Sequence, residues 1–461
     1  MEQKGEFLNL FKIKNFLVFA FSQAFSLFGD KLDYMALLAM IAFLSQKYNW
    51  DTAKGISYLS VVITLPTILF GNFVGVLIDR WDKRKVLVIC DLVRAFLVLA
   101  IPLVVLEIGN LFLVYLIAFF VFLFGLFFNT ARLAVIPTLV APRRLLAANS
   151  FISLIGRIAT FLGVLLGGVI VDLDLWRKIG IRYPWSAGFY IDSLSYWVSV
   201  FALIYIFRHH LWAGERKKES LLVKGKNLLE MTGTNIKKLF LNLKEAYALI
   251  FSLPPVTFTF LSILALVMLG AGIFVLYIPI VQTLPSPSLK IGKEFGLGLG
   301  TRGVGFLGAV GSIGLIISSL SYGILGHKIS KQIIVVICLF FLGAIAIFSS
   351  LSHSVLLPFL FVFLGGLFLS PIFIAWDTIL QESVPKEIQG RIFSTREWIL
   401  HFFFGLFAFV LGQLTTFFAK RDLLLIVGIF VTIFSFLLFP LIKKGEKPFN
   451  GEEDGSKTPT F

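Results

Sequence analysis

The chain contains twelve apolar segments, each long enough to cross a lipid bilayer as a helix, since about 20 residues suffice at 1.5 Å per residue. Hydrophobic residues make up 58% of the 461 residues, which is more than a soluble globule can bury. Lipid must therefore be the solvent for most of the chain, and we expect an all-α membrane protein. The segments lie near residues 16–44, 55–78, 86–106, 111–134, 146–171, 187–207, 254–283, 302–326, 332–351, 355–381, 392–418 and 423–442.

A sixteen-residue segment occurs twice in the chain. The sequence GVLIDRWDKRKVLVIC at residues 75–90 aligns without a gap with GILGHKISKQIIVVIC at residues 323–338. Each copy falls between the second and third of six apolar segments, so both copies lie on the same side of the membrane. This predicts two parallel six-helix bundles related by a pseudo-twofold axis, with the transport site between them near mid-bilayer. We predict an N-terminal bundle at 1–207, a cytoplasmic linker at 208–253, a C-terminal bundle at 254–442 and a disordered cytoplasmic tail at 443–461.

The net charge of +15 is explained by the topology of the chain. Most Lys and Arg residues fall in loops on the side that holds both termini, which places the termini in the cytoplasm by the positive-inside rule. Nucleic acid is therefore not an expected partner. The two cysteines, Cys90 and Cys338, both lie in apolar segments, where we interpret them as small packing residues rather than metal ligands or disulfide partners.

The first segment carries three charges, Asp30, Lys31 and Asp33, near the bilayer centre. Their insertion costs roughly 8–10 kcal/mol, so this helix needs partners or water. Helical spacing places Asp33 on one face with small residues, and we interpret this face as lining an aqueous cavity, with Lys31 meeting a neighbouring helix. Asp33 or Asp30 would take up a proton or bind a cationic substrate; the alternative is an ion pair with Lys31 or Arg157. The small residues of the face are Ser22, Ser26 and Gly29.

Arg157 lies about three turns into the fifth segment and keeps its charge there. It either pairs with a carboxylate such as Asp30 or receives an anionic group of a substrate. Asp192 lies nearer the outer end of the sixth segment, where we favour a structural pairing over a role in the cavity. Glycines in the fifth and eighth segments suit close approach of helices, as a rocking interface between two halves requires.

Glu397 and His401 form a second candidate for coupling, because residues four apart on a helix project together and both side chains can titrate. The alternative is an internally satisfied Glu–His pair. Asp377 and Gln381 form a weaker stripe in the tenth segment. No arrangement of nucleophile and base, metal-ligand cluster or phosphate loop occurs, so we expect neither an enzyme nor a cofactor.

Several motifs resemble the major facilitator superfamily. The turn after the second segment is similar to the superfamily signature Gly-x-x-x-Asp-Arg-x-Gly-Arg-Arg, except that Asp82 stands where the signature has its second Gly. Three further stretches resemble the bacterial branch of macrolide and siderophore exporters: PTLVAPRRLLAANSF at 137–151, FYIDSLSYWVS at 189–199 and VPKEIQGRIFS at 384–394. The residues that carry the resemblance at the predicted cytoplasmic gate are Gly75, Asp79, Arg80, Arg84, Asp91, Arg94, Gly390 and Arg391.

The resemblance covers the whole chain and implies a twelve-helix secondary transporter that works by alternating access. It implies proton-coupled export, an antiport, of small amphipathic molecules of drug or siderophore type by a monomer in the bacterial cytoplasmic membrane. Two alternatives stay open, a lipid or lysophospholipid flippase of the same fold and a non-transporting membrane sensor or assembly partner. No sequence feature decides between the exporter and the flippase.

The signature also predicts a latch. Asp79 ends the second helix where the eleventh begins near Gly390, and a carboxylate beside that helix N-terminus gains about 0.3–1 kcal/mol, which can hold the outward-open state. In the second copy His327 and Lys328 replace Asp79 and Arg80. We therefore expect the latch in the first copy alone.

Replacing Asp79 by Asn should slow transport and leave folding largely intact, because the carboxylate acts on the balance between two states rather than on packing. Transport into proteoliposomes measures the effect. Wild-type rates in Asp79→Asn would refute the latch.

Overall fold

The computed structural model describes residues 10–141, 144–173, 175–211, 253–284, 300–325, 330–354, 356–384 and 386–442. Twelve long helices, numbered α1 to α12, occupy these residues. The N-terminal six are α1 (Lys14–Tyr48), α2 (Thr52–Arg80), α3 (Lys83–Leu103), α4 (Leu111–Leu139), α5 (Leu145–Ile170) and α6 (Ser186–Leu211). The C-terminal six are α7 (Pro254–Gly272), α8 (Thr301–Leu325), α9 (Lys331–Leu351), α10 (Leu357–Ser383), α11 (Lys386–Leu414) and α12 (Lys420–Leu437).

Eleven of the described helices are long and apolar enough to cross a membrane. Helix α1 has the length, but its charged and polar residues lower its hydropathy. Helix α7 continues through a π-helical turn, Ile273–Tyr277, into Ile278–Thr283. Helix α11 begins six residues before the predicted apolar segment. Polar residues at a membrane surface can extend a helix, and hydropathy does not detect that extension. These observations confirm the predicted all-α class.

The helices pack as two groups of six. In the first group α1 packs on α5 and α6, α3 packs on α4 and α6, and α2 packs on α4. In the second group α8 packs on α10, α9 packs on α10 and α12, and α7 packs on α11 and α12. The groups meet along two seams, α2 with α11 and α5 with α8. A pseudo-twofold axis pairs α2 with α8 and α5 with α11. It therefore maps the α2–α11 seam onto the α5–α8 seam, as predicted.

The repeated segment has the same place in both groups. Lys83 begins α3 and Lys331 begins α9, and Cys90 and Cys338 are both buried free cysteines, as expected for packing residues. Asp82, which departs from the superfamily signature, caps α3, because its Oδ1 accepts a hydrogen bond from the Arg84 backbone N–H at 3.0 Å. Asp is among the best N-cap residues. At this position the turn therefore has a helix cap where the superfamily signature has a conformationally flexible glycine.

The predicted domain limits fall partly outside the described residues. Helix α6 runs to residue 211, four residues into the predicted linker at 208–253. Residues 212–252 and the predicted tail at 443–461 lie outside the description, as do His327 and Lys328 of the second copy.

The two groups contact each other at one end of the bundle and at least as far as its middle. We call this the outer end, following the charge-based prediction, and the end with the α2–α3 turn the inner end. At the outer end Lys420 Nζ lies 2.9 Å from Asp51 Oδ1 across one seam, and Arg302 binds Asp172 across the other. Deeper along α2, Trp398 Nε1 donates to the carbonyl of Ile68 at 3.2 Å, about 24 Å from the start of α2.

Candidate transport cavity

Three adjoining cavities lie between and beside the seams. The polar cavity, of about 680 Å³, is bounded by α1, α3 and α4 on one side and by α11 on the other. The apolar cavity, of about 580 Å³, lies mostly among helices of the second group. The arginine cavity, of about 640 Å³, lies between α4, α5 and α8. Ile63 and His401 line both the polar and the apolar cavity, and Ser312 and Leu315 line both the apolar and the arginine cavity.

A cluster of charged side chains forms the N-terminal wall of the polar cavity. Arg94 Nη2 on α3 lies 2.6 Å from Asp30 Oδ1 on α1. The hydroxyl of Tyr196 on α6 donates to the same oxygen at 2.6 Å, and the Arg94 guanidinium lies 4.2 Å from the centre of the Tyr196 ring. Asp30 keeps 25% of its side-chain surface exposed. It is therefore the member of this cluster that faces the cavity most openly.

Three more carboxyl groups lie behind Asp30. Arg94 Nη1 is 3.4 Å from Asp91 Oδ1, and Ser195 Oγ donates to Asp192 Oδ1 at 3.0 Å. Asp33, Asp91 and Asp192 are all buried. Asp33 Oδ1 and Asp192 Oδ2 have no hydrogen-bond partner among the described residues. We call Asp30, Asp33, Asp91, Asp192, Arg94 and Tyr196 the charge cluster.

A glycine brings α1 and α6 close enough to assemble the charge cluster. Any side chain at Gly29 would overlap Ser195 Oγ and Asp192 Oδ1, so the helices could not keep this spacing with a larger residue. On the neighbouring contact, Ser193 Oγ donates to the carbonyl of Ala95 at 2.9 Å and fixes α6 on α3. The three helices that carry the charges are thus held together by their own packing.

The predicted orientation of α1 is wrong in part. The face with Asp33 was expected to line water, but Asp33 and its small neighbours Ser22, Ser26 and Gly29 are buried, and Gly29 packs on α6. Asp30, Lys31, Asp33 and Tyr34 line the polar cavity, so the prediction holds for Asp33 itself, although its side chain is buried. A helical wheel identifies a polar face, but it cannot tell whether protein or water covers that face.

Lys31 contacts a neighbouring helix as expected. A side chain at Gly163 of α5 would come within 2.7 Å of Lys31 Cβ, so the stem of the lysine lies on α5 while the residue also lines the polar cavity. Arg157 does not pair with Asp30, which bonds Arg94 instead. Arg157 lines the arginine cavity.

The pairing on α11 also differs from the expected one. Glu397 and His401 both line the polar cavity, but His401 Nδ1 lies 2.8 Å from the backbone carbonyl of Glu397, not from its carboxylate. The Glu397 carboxylate instead accepts from Arg396 Nη2 at 2.7 Å. Arg396 also binds Asp377 of α10. Sequence reasoning missed Arg396, although a charged residue inside the predicted apolar segment 392–418 was a signal for it.

Two residues of the predicted gate lie elsewhere. Asp91 and Arg94 were grouped with the cytoplasmic gate, but they lie about 12 and 17 Å into α3 and belong to the buried charge cluster. An Asp and an Arg three residues apart in an apolar helix were the signal for such a cluster.

The other gate residues lie at helix ends on the inner side. Gly75, Asp79 and Arg80 are in the last turns of α2, Arg84 is in the first turn of α3, and Gly390 and Arg391 are in the second turn of α11. The Arg84 guanidinium lies 5.5 Å from the centre of the Phe207 ring. The Asp79 and Arg391 side chains are outside the description, so the latch stays a prediction.

Comparison with curated proteins places the chain beside bacterial transporters. It is 35% identical over 182 residues to a proposed bacilysin exporter, BacE, of Bacillus amyloliquefaciens, over 38% of this chain and 43% of that protein. It is 24% identical over 193 residues to an uncharacterized MFS-type transporter, YfiS, of Bacillus subtilis (strain 168), over 42% of each. The chain thus matches less than half the length of these relatives.

Solved structures share the fold. A POT family transporter in complex with 5-aminolevulinic acid superposes with a TM-score of 0.68 at 14% identity, over 93% of this chain and 96% of that one. The nucleoside transporter NupG superposes with a TM-score of 0.65 at 12% identity, over 93% of this chain and 99% of that one. A family model described as the Major Facilitator Superfamily matches residues 19–393 and 282–460. The chain therefore belongs to the Major Facilitator Superfamily, a family of membrane transporters rather than enzymes.

Proposed function

We propose that this transporter couples the export of small amphipathic molecules to the movement of protons. The observation that carries the proposal is the charge cluster beside the polar cavity, in which one guanidinium, that of Arg94, pairs with Asp30 and Asp91, while Asp33 and Asp192 are buried nearby without an ion-pair partner among the described residues. Alternating access follows from the fold, whereas the protons, the substrate class and the direction are part of the proposal.

Burial is the physical reason for assigning protons to the cluster. An ionised carboxylate without a partner is very costly in a dry interior, and it avoids that cost by binding a proton. Arg94 can neutralise one carboxylate fully, and it already binds Asp30 at 2.6 Å. Lys31 lies on the cavity side. Asp33, Asp91 and Asp192 each have a buried oxygen without a hydrogen-bond partner among the described residues. Of these three, Asp33 is the one that lines the polar cavity, so it is the best candidate to hold a proton in this state.

A route for the proton runs through Asp30. Its side chain is one quarter exposed, it lines the polar cavity, and it shares Arg94 with the buried Asp91. Release of the Asp33 proton would leave a second carboxylate competing for Arg94. That competition would alter the contacts of α1 with α3 and α6, which gives the proton a means to bias the transport equilibrium.

The cavity walls suit an amphipathic substrate. The N-terminal wall is charged, while the apolar cavity opposite is lined by aliphatic and aromatic side chains, including Leu369, Phe373 and Phe404. Sites of this kind bind apolar surface for affinity and use few polar groups for orientation. Export rather than import is supported by the relatives described as exporters. This chain matches those relatives over less than half of their length.

A flippase is the second candidate, because the arginine cavity reaches the lipid-facing surface. Leu133 of α4 and Ile316 of α8 line that cavity, and they are 65% and 50% exposed. Lipid scrambling in liposomes, compared with efflux of drugs from cells, distinguishes this candidate from the exporter.

Replacing Asp33 by Asn should abolish or strongly reduce substrate-stimulated proton movement, because an amide cannot exchange a proton. The measurement uses proteoliposomes with an internal pH dye and an amphipathic compound that the wild type transports. Asp422→Asn, an exposed carboxyl at the start of α12, is the matched control and should behave as wild type. Persistent substrate-driven proton flux in Asp33→Asn would remove Asp33 from the mechanism.

A further inference from the structure

The arginine cavity holds two cations on its N-terminal side. Arg132 projects from α4 and Arg157 from α5, and the amide of Asn149 and the hydroxyls of Ser153 and Thr160 line the same space. Arg157 lies about 18 Å from the start of α5, which places it well inside the membrane-spanning part of that helix. None of the described residues that line this cavity is an Asp or a Glu.

Neither arginine has a carboxylate partner among the described residues. Arg94, Arg302 and Arg396 each form an ion pair, whereas Arg132 and Arg157 form none within the described part of the chain. Arg132 Nε is buried without a hydrogen-bond partner there. These two guanidinium groups therefore differ from the three paired arginines.

The carboxyl group of Asp30, which acts electrostatically on Arg132, already bonds other groups. Arg132 is within electrostatic range of Asp30, but Asp30 Oδ1 accepts hydrogen bonds from both Arg94 and Tyr196. A guanidinium keeps its charge in any protein environment, and at membrane depth it is costly without a counter-ion. The two arginines thus offer planar, paired donors to an anion that comes from outside the chain.

The other walls of the arginine cavity indicate what kind of molecule carries the anionic group. Leu133, Ile136 and Ile316 form an apolar wall, and the shared residues Ser312 and Leu315 join this cavity to the apolar cavity. We infer that the arginine cavity binds the carboxylate or phosphate group of an amphipathic molecule, whose apolar part lies along α8. This inference rests on the proposed function only in taking the occupant to be the transported molecule.

Binding of octyl phosphate tests the site without any transport. The purified protein is placed in phosphatidylcholine nanodiscs and titrated by calorimetry, with empty nanodiscs subtracted and octyl glucoside as the uncharged ligand of equal chain length. The variants are Arg132→Gln, Arg157→Gln and the double variant. Arg182→Gln, at an exposed arginine of the outer end, is the control for loss of one charge.

We expect octyl phosphate to bind the wild type and Arg182→Gln equally, and each cavity variant to bind about tenfold more weakly, since each loses a charge-assisted hydrogen-bonding group. The ligand-free double variant should unfold at the same temperature as the wild type or higher, because it loses charges that have no partner. Equal affinity in the double variant, equal binding of octyl glucoside, or a lowered unfolding temperature would each overturn the site. Because no gradient is applied, failure of binding is distinct from failure of proton coupling.

The source of the anion is decided by adding phosphatidylglycerol to the nanodiscs. Competition that disappears in the double variant supports a lipid headgroup as the natural occupant. Unchanged affinity for octyl phosphate supports a soluble anionic amphiphile that enters from the cavity.

Discussion

Replacing Arg94 by Gln should destabilise the transporter by about 3–5 kcal/mol, the usual cost of leaving a buried charge partner uncompensated. Its side chain is 7% exposed, lies 2.6 Å from Asp30 and 3.4 Å from Asp91, and stacks on Tyr196. Without it, at least one carboxylate must lose its charge or its place. The measurement is the apparent unfolding temperature in detergent, together with the yield of monodisperse protein.

Two further variants separate charge from geometry. Arg94→Lys keeps the positive charge but loses the planar fork and the stacking on Tyr196, so we expect an intermediate loss. Adding Asp30→Asn to Arg94→Gln removes a carboxylate together with its partner, and this double variant should recover part of the stability. Arg182→Gln should be silent. A fully stable Arg94→Gln would mean that the cluster is held by protonation alone.

The charge cluster also shows which parts of the site could be predicted from the sequence. Charged residues in an apolar helix are visible in the sequence, and Asp30, Asp33 and Asp192 were identified on that basis. Their partners were not, because the ion pair of Arg94 with Asp30 spans 64 residues and depends on how α1 and α3 are rotated about their axes. Hydropathy does not fix that rotation, since lipid accepts every apolar face equally.

Local turns could be predicted from the sequence, whereas contacts between helices could not. The repeated segment predicted two parallel groups of helices, because a local turn motif is encoded within sixteen residues. Arg396 binds the Glu397 carboxylate, for which a pair with His401 was one expectation. Its contact with Asp377 joins two helices and has no local signature. The signature departure at Asp82 was visible, but its use as a cap became clear only from the hydrogen bond to the Arg84 N–H.

The seam between α5 and α8 closes the outer end through two glycines. A side chain at Gly305 would come within 2.8 Å of Gly168 Cα and of the carbonyl oxygen of Val164, and a side chain at Gly168 would come within 2.8 Å of Gly305 Cα. These are backbone atoms, so no rotamer change can relieve the overlap. Closure of the outer end by this seam is therefore possible only with glycine at both positions.

Replacing Gly305 by Val should hold the outer end open and lower transport about tenfold or more. The valine side chain raises the free energy of the state with a closed outer end, and the population of that state falls accordingly. Folding should be retained, because the overlap lies between the two groups of helices and they can separate there. Spin labels at Ile179 and Phe418, exposed residues on opposite sides of the outer end, measure the change after both cysteines are replaced by Ser. We expect a longer-distance population.

Two glycines of α10 provide matched controls for this wedge. A side chain at Gly366 would overlap the carbonyl oxygen of Gly311 within the second group of helices, so Gly366→Val should lower the unfolding temperature instead of opening the seam. Gly365, the neighbouring residue, has open space at its Cβ position, and Gly365→Val should change neither the distance nor the unfolding temperature. If Gly305→Val leaves the spin-label distances unchanged, the outer end closes by another contact. If it unfolds the protein as Gly366→Val does, the α5–α8 seam is a fixed part of the fold rather than a surface that opens during transport.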